Sequence, residues 1–214
     1  MALSAPNSPV DIGNLSLDLL KQAPVVQLDP PSTTTEQLLA RWYQPSRQAA
    51  LRAHPWNFAL KRITITPTGT APVFGFTHAY DLPNDFIRFI DIKDDEGFVK
   101  RPGTYEMENN QLLLNGEDNT AINVRYVRDF TEVNKMDALF IDFFVFTLAL
   151  KIGPKFTGTE ARLKTIAEMQ REISTEARAI DGQERPAKRV QRSKFIKARQ
   201  SSQSRVAGQF TVFE

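Results

Sequence analysis

A chain of 214 residues with 41% hydrophobic content and 15 phenylalanines has enough apolar side chain for one large core or two small ones. Its net charge of only +2 does not mark the whole chain as a polyanion binder. It contains no cysteine, which excludes disulfides, thiolate metal sites and a cysteine nucleophile.

The opening "MALSAPNSPVDIGN" has neither a basic start nor a long apolar run, so it does not read as a signal peptide. A first helix is expected from Ser8, with Ser8 as N-cap and Pro9 in the first turn, where a missing N–H costs nothing. Val10, Ile12, Leu15, Leu19 and Leu20 form its apolar stripe. "APVVQLDPPSTTT" breaks the pattern with prolines and cap formers. A second helix follows from about Thr35, loading Leu38, Leu39, Trp42 and Tyr43 on one side. Pro45 is expected to kink or restart it, because proline removes one hydrogen bond and crowds the preceding turn. Pro55 disfavours helical geometry at His54 and ends it.

The middle of the chain changes period. "KRITITPT", "VFGFTHAYDL", "FIRFIDIK", "TYEMEN", "QLLLN" and "AINVRYVRDF" are short and rich in β-branched and aromatic residues, with turn chemistry between them. Antiparallel strands are expected, since no helical pattern intervenes to carry parallel crossovers. From Asp137 the helical pattern returns. "DALFIDFFVFTLALKI" is apolar nearly all round and should be buried on most sides. Its apolar part is too short to span a bilayer and holds Asp142, so a buried helix is expected and no membrane role. "GP" stops it. "TGTE", residues 157–160, has capping-box spacing and opens a long amphipathic helix carrying Leu163, Ile166, Ile173, Ala177 and Ile180. Gly182 is expected near its C-cap, with Pro186 beyond.

Residues 183–214 differ in composition. Eight Lys/Arg stand against two acids there, which gives +6. The other 182 residues then hold 19 basic and 23 acidic side chains, or −4. A mildly acidic body carries a basic, Ser/Gln-rich tail that ends in a strand-like "GQFTVFE".

Catalytic patterns are sparse. His54 and His78 are the only imidazoles, and no HExxH, GxSxG, Walker-type or post-strand GxGxxG motif occurs. "DIKDDEG", residues 91–97, concentrates carboxylates that could meet a hard cation, but it lacks the ligand rhythm of an EF-hand and reads better as an acidic turn. Paired carboxylates for glycoside hydrolysis carry no weight without geometry. No enzyme activity, metal or cofactor is assigned. His54 reads as part of a structural junction, satisfying backbone groups where the helix ends, while Trp56 and Phe58 anchor the corner in the core. The tail has three readings: phosphate binding through its charge, docking on a protein partner, or a solvated end. Docking is favoured.

Four segments, in this order, resemble the head-to-tail adaptors (tail tubular protein A) of short-tailed double-stranded-DNA phages. They are "IGNLSLDLLKQAPVVQLD", "ARWYQPSRQAALRAHPWNFALKR", "YDLPNDFIRFIDI" and "VRYVRDFTEVNKMDALFIDFFVFTLALKI". "HPWNFA" after a Tyr-x-Pro helix and "LPxDFxR" after a strand are the most specific pieces, and the likeness covers roughly residues 10–182. The resemblance implies a homo-oligomeric ring of about twelve subunits under the portal protein. Such a ring extends the channel for passing dsDNA and seats a nozzle or tubular protein B. No motif of the tail matches. Its assignment to portal docking, through Arg185, Lys188, Arg189, Arg192, Lys194, Lys197 and Arg199, follows from the family's architecture alone. A nucleic-acid-binding module acting through the same tail is the alternative.

The expected fold is α+β. Residues 1–58 and 137–182 form a helical bundle, 59–136 a central antiparallel β insert, and 183–214 an extended basic tail.

Overall fold

The computed structural model describes residues 6–93, 99–100, 105–115, 120–156 and 160–184. The chain divides into two units, residues 1–181 and 182–214. The described residues form four α-helices and two small antiparallel sheets, a mixed α+β architecture.

Helix α1 (Pro9–Leu19) starts as its sequence dictates: the Ser8 hydroxyl accepts from the Asp11 N–H, and the Asp11 carboxylate accepts from the Ser8 N–H. Its buried face is Ile12, Gly13, Ser16 and Leu17, with Leu20 just beyond. Leu15, expected on that stripe, stands 39% exposed instead. Two small residues take the inner positions because neighbours come close. A Cβ on Gly13 would sit 3.3 Å from Leu39 Cδ1, and Ser16 Oγ donates to the carbonyls of Ile12 and Val145.

Helix α2 (Thr34–Ala53) has a second capping box, from Thr33 to Glu36. It runs through Pro45 without a break, against the expected interruption. Buried Leu39, Tyr43, Ala50 and Leu51 lie on both sides of the proline, and Lys151 Nζ donates to the Pro45 carbonyl at 3.0 Å. Tertiary contacts on either side outweigh the one lost bond. Trp42, expected inside, is at the surface with Lys151 Nζ 5.7 Å from its ring centroid. Burial lowers the pKa of that lysine. Tyr43 Oη and Ser46 Oγ are buried with no described partner, and burial pushes the Tyr43 phenol up to about 12.

Strands β1 (Leu60–Ile65), β3 (Phe86–Lys93), β4 (Val99–Lys100) and β7 (Ile122–Arg128) form one sheet in the order β1-β7-β3-β4. Strands β2 (His78–Asp81), β5 (Tyr105–Glu108) and β6 (Gln111–Leu114) form the other, in the order β2-β6-β5. The four-stranded sheet buries both faces. Leu60, Ile87, Ile90 and Val127 pack toward the helices. Ile63, Ile65, Phe86, Phe89, Ile92 and Val124 pack with Tyr80, Leu112 and Leu114 of the smaller sheet. In β3 the second set falls every third residue, which a regular strand cannot place on one side. Register shifts between Phe86 and Arg88 and between Phe89 and Asp91 supply the extra residues.

Helix α3 (Ala138–Ile152), capped by Asp137, is the centre of the helical core, with nine of its 15 residues buried. Phe140 and Phe144 are fully buried, each contributing roughly 1.5–3 kcal/mol before entropy is counted. Helix α4 (Glu160–Glu184) runs two residues past Gly182, the expected stop. The expected capping box at 157–160 falls mostly outside the described residues. Leu163, Ile166, Ile173 and Ala177 of α4 join the helical core. Gln170, in the same seam, donates to Thr147 Oγ1 at 2.7 Å, and Thr147 donates to the Phe143 carbonyl. Gly153 permits the approach of α4, since a Cβ there would run into Leu163 Cδ2.

Helix α2 is fastened to the sheet by charge. Arg47 Nε and Nη2 reach the two oxygens of Asp129, each at 3.1 Å, and Gln48 donates to the same carboxylate. Arg47 is only 8% exposed. Replacing Asp129 with Ala leaves that cation buried and unpaired, and should lower stability in urea by about 3 kcal/mol. The Glu36 carboxyl behaves differently. Hydrogen bonds from the Ser32 hydroxyl, the Ser32 N–H and the Thr33 N–H hold its pKa at about 2, below the ordinary 4.5. A depressed folded pKa contributes stability that is present above the unfolded value and fades as pH falls through the folded one. Glu36→Gln should therefore melt below the wild type at neutral pH. The gap should close between pH 4.5 and 2 in melts of the two proteins across that range.

Candidate functional site

Two places gather the side chains of interest. The first is the corner between α2 and β1. His54 is the C-cap of α2, with extended backbone at φ −142° and ψ 145°. Its ring meets Trp56 edge-on, with centroids 5.1 Å apart. Trp56 is buried, donates from Nε1 to the Ala50 carbonyl at 3.0 Å, and packs edge-on against Phe140. Phe58, in the 3₁₀ turn Asn57–Ala59, contacts Phe130 and Phe140. The three residues expected at the junction thus stand together and reach α3 through Phe140. The geometry joins a helix to a strand.

The second place is an open groove of about 710 Å³ over the outer face of the β2-β6-β5 sheet. Its floor follows from register. Ala79, Leu113 and Glu106 are cross-strand partners, and so are Asp81, Gln111 and Glu108 in the next row. Alternation puts both rows on the face opposite Tyr80, Leu112 and Leu114, which point into the core. Gln111 Nε2 donates to Asp81 Oδ1 at 2.8 Å. No described side chain forms an ion pair with Glu106 or Glu108. The turn from β5 to β6 is tight, with positive φ at both Asn109 and Asn110, as a two-residue hairpin requires.

The loop between β1 and β2 walls the groove. Sequence alone reads its "VFGF" as part of a strand, but β2 begins only at His78. Glycines in the left-handed region at positions 69 and 75 bend the chain out of the sheet (φ 79° and 82°). The loop is tied at both ends. Thr68 N–H donates to the Ala79 carbonyl, and Asn115 accepts from Thr77 N–H while donating to the Gly75 carbonyl. Between these ties, Val73 is 98% exposed and Phe74 86% exposed. An apolar pair bracketed by Pro72 and Gly75 was the available signal for such a tip. The three groove carboxylates had none, because their meeting depends on the register of the β5-β6 hairpin and of the long-range β2-β6 pairing.

The carboxylate cluster expected near "DIKDDEG" is only partly described. Asp91 is held by Arg125, with Nη2 at 2.6 Å from Oδ2 and Nε at 3.1 Å from Oδ1, and Lys93 lies near. Residues 94–98 are outside the described set. Among the described residues no group of three or more His, Asp or Glu is arranged to hold a metal ion. Asp85 of the "LPxDFxR" segment accepts from Lys61 Nζ and Tyr126 Oη. Burial pushes this carboxyl up, but those bonds and the lysine charge outweigh it, so its pKa falls below the ordinary value. Burial and the Asp85 carboxylate raise the Tyr126 phenol. His78 lies at the start of β2, opposite Leu114. Arg185, Lys188, Arg189, Arg192, Lys194, Lys197 and Arg199, the expected portal-docking set, lie outside the described residues. Among the described residues no helix is long and apolar enough to cross a membrane.

The corner gives a direct test. Trp56→Ala empties a buried site lined by Phe140 and Phe143 and should cost about 3–5 kcal/mol in chemical denaturation. No family model matches the chain, and no curated protein matches it.

Proposed function

We propose that this chain is a structural adaptor of a short-tailed phage particle. It joins the portal protein to a nozzle or tubular protein B in a ring of about twelve copies around passing dsDNA. On this reading it resides in the virion neck, does no chemistry and needs no cofactor. The terminal helical segments act as one bundle, the β insert faces a neighbour or the next component, and the basic tail grips the portal.

The observation that carries the reading is the loop tip. Val73 and Phe74 are nearly fully exposed, on a loop tied at both ends, beside an open groove. Large apolar side chains held out in water mark a surface that another protein covers. The segments "HPWNFA" and "LPxDFxR" add support. The first forms the aromatic corner on α3, and the second places Asp85 under Lys61 and Tyr126. A ring needs unlike faces that fit each other, and the groove and the helical core lie on different layers of the subunit.

Native mass spectrometry tests the assignment. Alone, the chain should be monomeric or weakly associated; with portal rings it should load as a ring of about twelve. Failure to bind portal rings overturns the proposal. The +6 charge of residues 183–214 favours a second reading, a nucleic-acid-binding module. Tight duplex binding by the chain alone, falling steeply between two salt concentrations, would select it.

A further inference from the structure

We infer that the outer edge of β5 takes up a cationic, apolar-bearing strand of a partner protein, which extends the β2-β6-β5 sheet beyond β5, beside the groove. Three observations meet there.

First, β5 is an edge: it pairs with β6, and no described residue pairs on its other side. At the opposite edge of the sheet the loop already bridges β2, with Pro67 pairing to Tyr80. In a two-residue hairpin the closing residues, Glu108 and Gln111, exchange their hydrogen bonds, and outward-pointing residues alternate from there. The N–H and C=O of Met107 and Tyr105 therefore point to the open side. An extended peptide adds to such an edge through main-chain bonds.

Second, the two faces of β5 differ in chemistry. Glu106 and Glu108 stand on the groove face without described counter-ions, one strand from the Asp81–Gln111 pair. Tyr105 and Met107, on the other face, are 45% and 42% exposed, and Tyr105 lies against Phe89. A complementary strand alternates: Lys or Arg opposite the glutamates, apolar residues opposite Tyr105 and Met107.

Third, the same charges decide who can bind. Two copies of β5 placed edge to edge would set Glu106 and Glu108 against each other, so pairing with a second copy of this edge is opposed. A basic strand removes that repulsion, and the apolar Phe74 lines the groove over the same face as the glutamates. The occupant is thus a basic strand from a different surface.

This inference rests on the groove being a docking surface, and it needs neither the portal nor the ring. The probe is the labelled heptapeptide KFKVKFK, titrated onto the full chain by fluorescence anisotropy, with its charge reversal EFEVEFE as control. The basic peptide should bind and the acidic one should not. Glu106→Gln combined with Glu108→Gln should weaken binding roughly fivefold. The same change at Glu168 and Glu172, exposed on α4, should leave it unaltered. Hydrogen exchange at the amides of Tyr105 and Met107 should slow when the peptide is bound. Equal affinity for both peptides, equal loss in both double variants, or unchanged exchange along β5 would overturn the inference. Portal binding measured on the Glu106/Glu108 variant separates the two proposals: lost peptide binding with retained portal loading leaves the adaptor assignment standing.

Discussion

The architecture depends on one helix that cannot face water. Helix α3 carries apolar residues around nearly its whole circumference, and nine of its fifteen residues are buried. A helix of that kind needs cover on most sides, and it recruits the elements near it, leaving Asp142 at the surface. Ser16 of α1 bonds to its Val145 carbonyl, Tyr43 of α2 meets Phe144 edge-on, and Ile166 of α4 joins the same cluster. The corner after α2 completes the enclosure with Trp56 and Phe58, both against Phe140. The helical ends of the chain are brought together by this demand, whatever the chain between them does.

The sheet beyond the corner lies between two cores, and this explains its irregularity. Antiparallel sheets with one wet face keep a simple alternation. Here Ile87 and Ile90 serve the helices while Phe86, Phe89 and Ile92 serve the second sheet, and two register shifts in β3 reconcile the demands. Charge reinforces the stack. Asp129, just after β7, receives Arg47 and Gln48 from α2, and the backbone N–H of Asp129 reaches the Asp85 carbonyl near β3. The Arg47 and Gln48 bonds cross layers and hold α2 on the sheet, while the Asp129–Asp85 bond prolongs the pairing of β7 with β3.

Much of this was legible in the residues, for identifiable reasons. The helix start at Ser8 follows from local capping, which needs only neighbours in sequence. The antiparallel strands follow from short β-branched runs and turn residues. What failed was decided at long range. Pro45 was outvoted by packing on both sides of α2, Leu15 lost its inner place to Ser16 where α3 approaches, and of the expected pair Trp42 and Tyr43 only the second is buried, against Phe144. The candidate groove was the least legible part. "VFGF" has strand composition, yet the glycines at 69 and 75 turn it outward. Asp81, Glu106 and Glu108 lie on strands brought together by one hairpin, β5-β6, and by the long-range pairing of β2 with β6. The corner at His54 was readable because one proline, one tryptophan and one phenylalanine carry it within five residues.

The Gln170–Thr147 bond has a mechanical meaning. The bond is part-buried and stands among the apolar contacts that α4 makes with the helical core through Leu163, Ile166, Ile173 and Ala177. Sliding α4 by a single turn would give up this part-buried bond, at a net cost of about 0.5–1.5 kcal/mol. The bond therefore favours one register of α4 against α3, and a pull along the helix axis has to break it before the helix can slip.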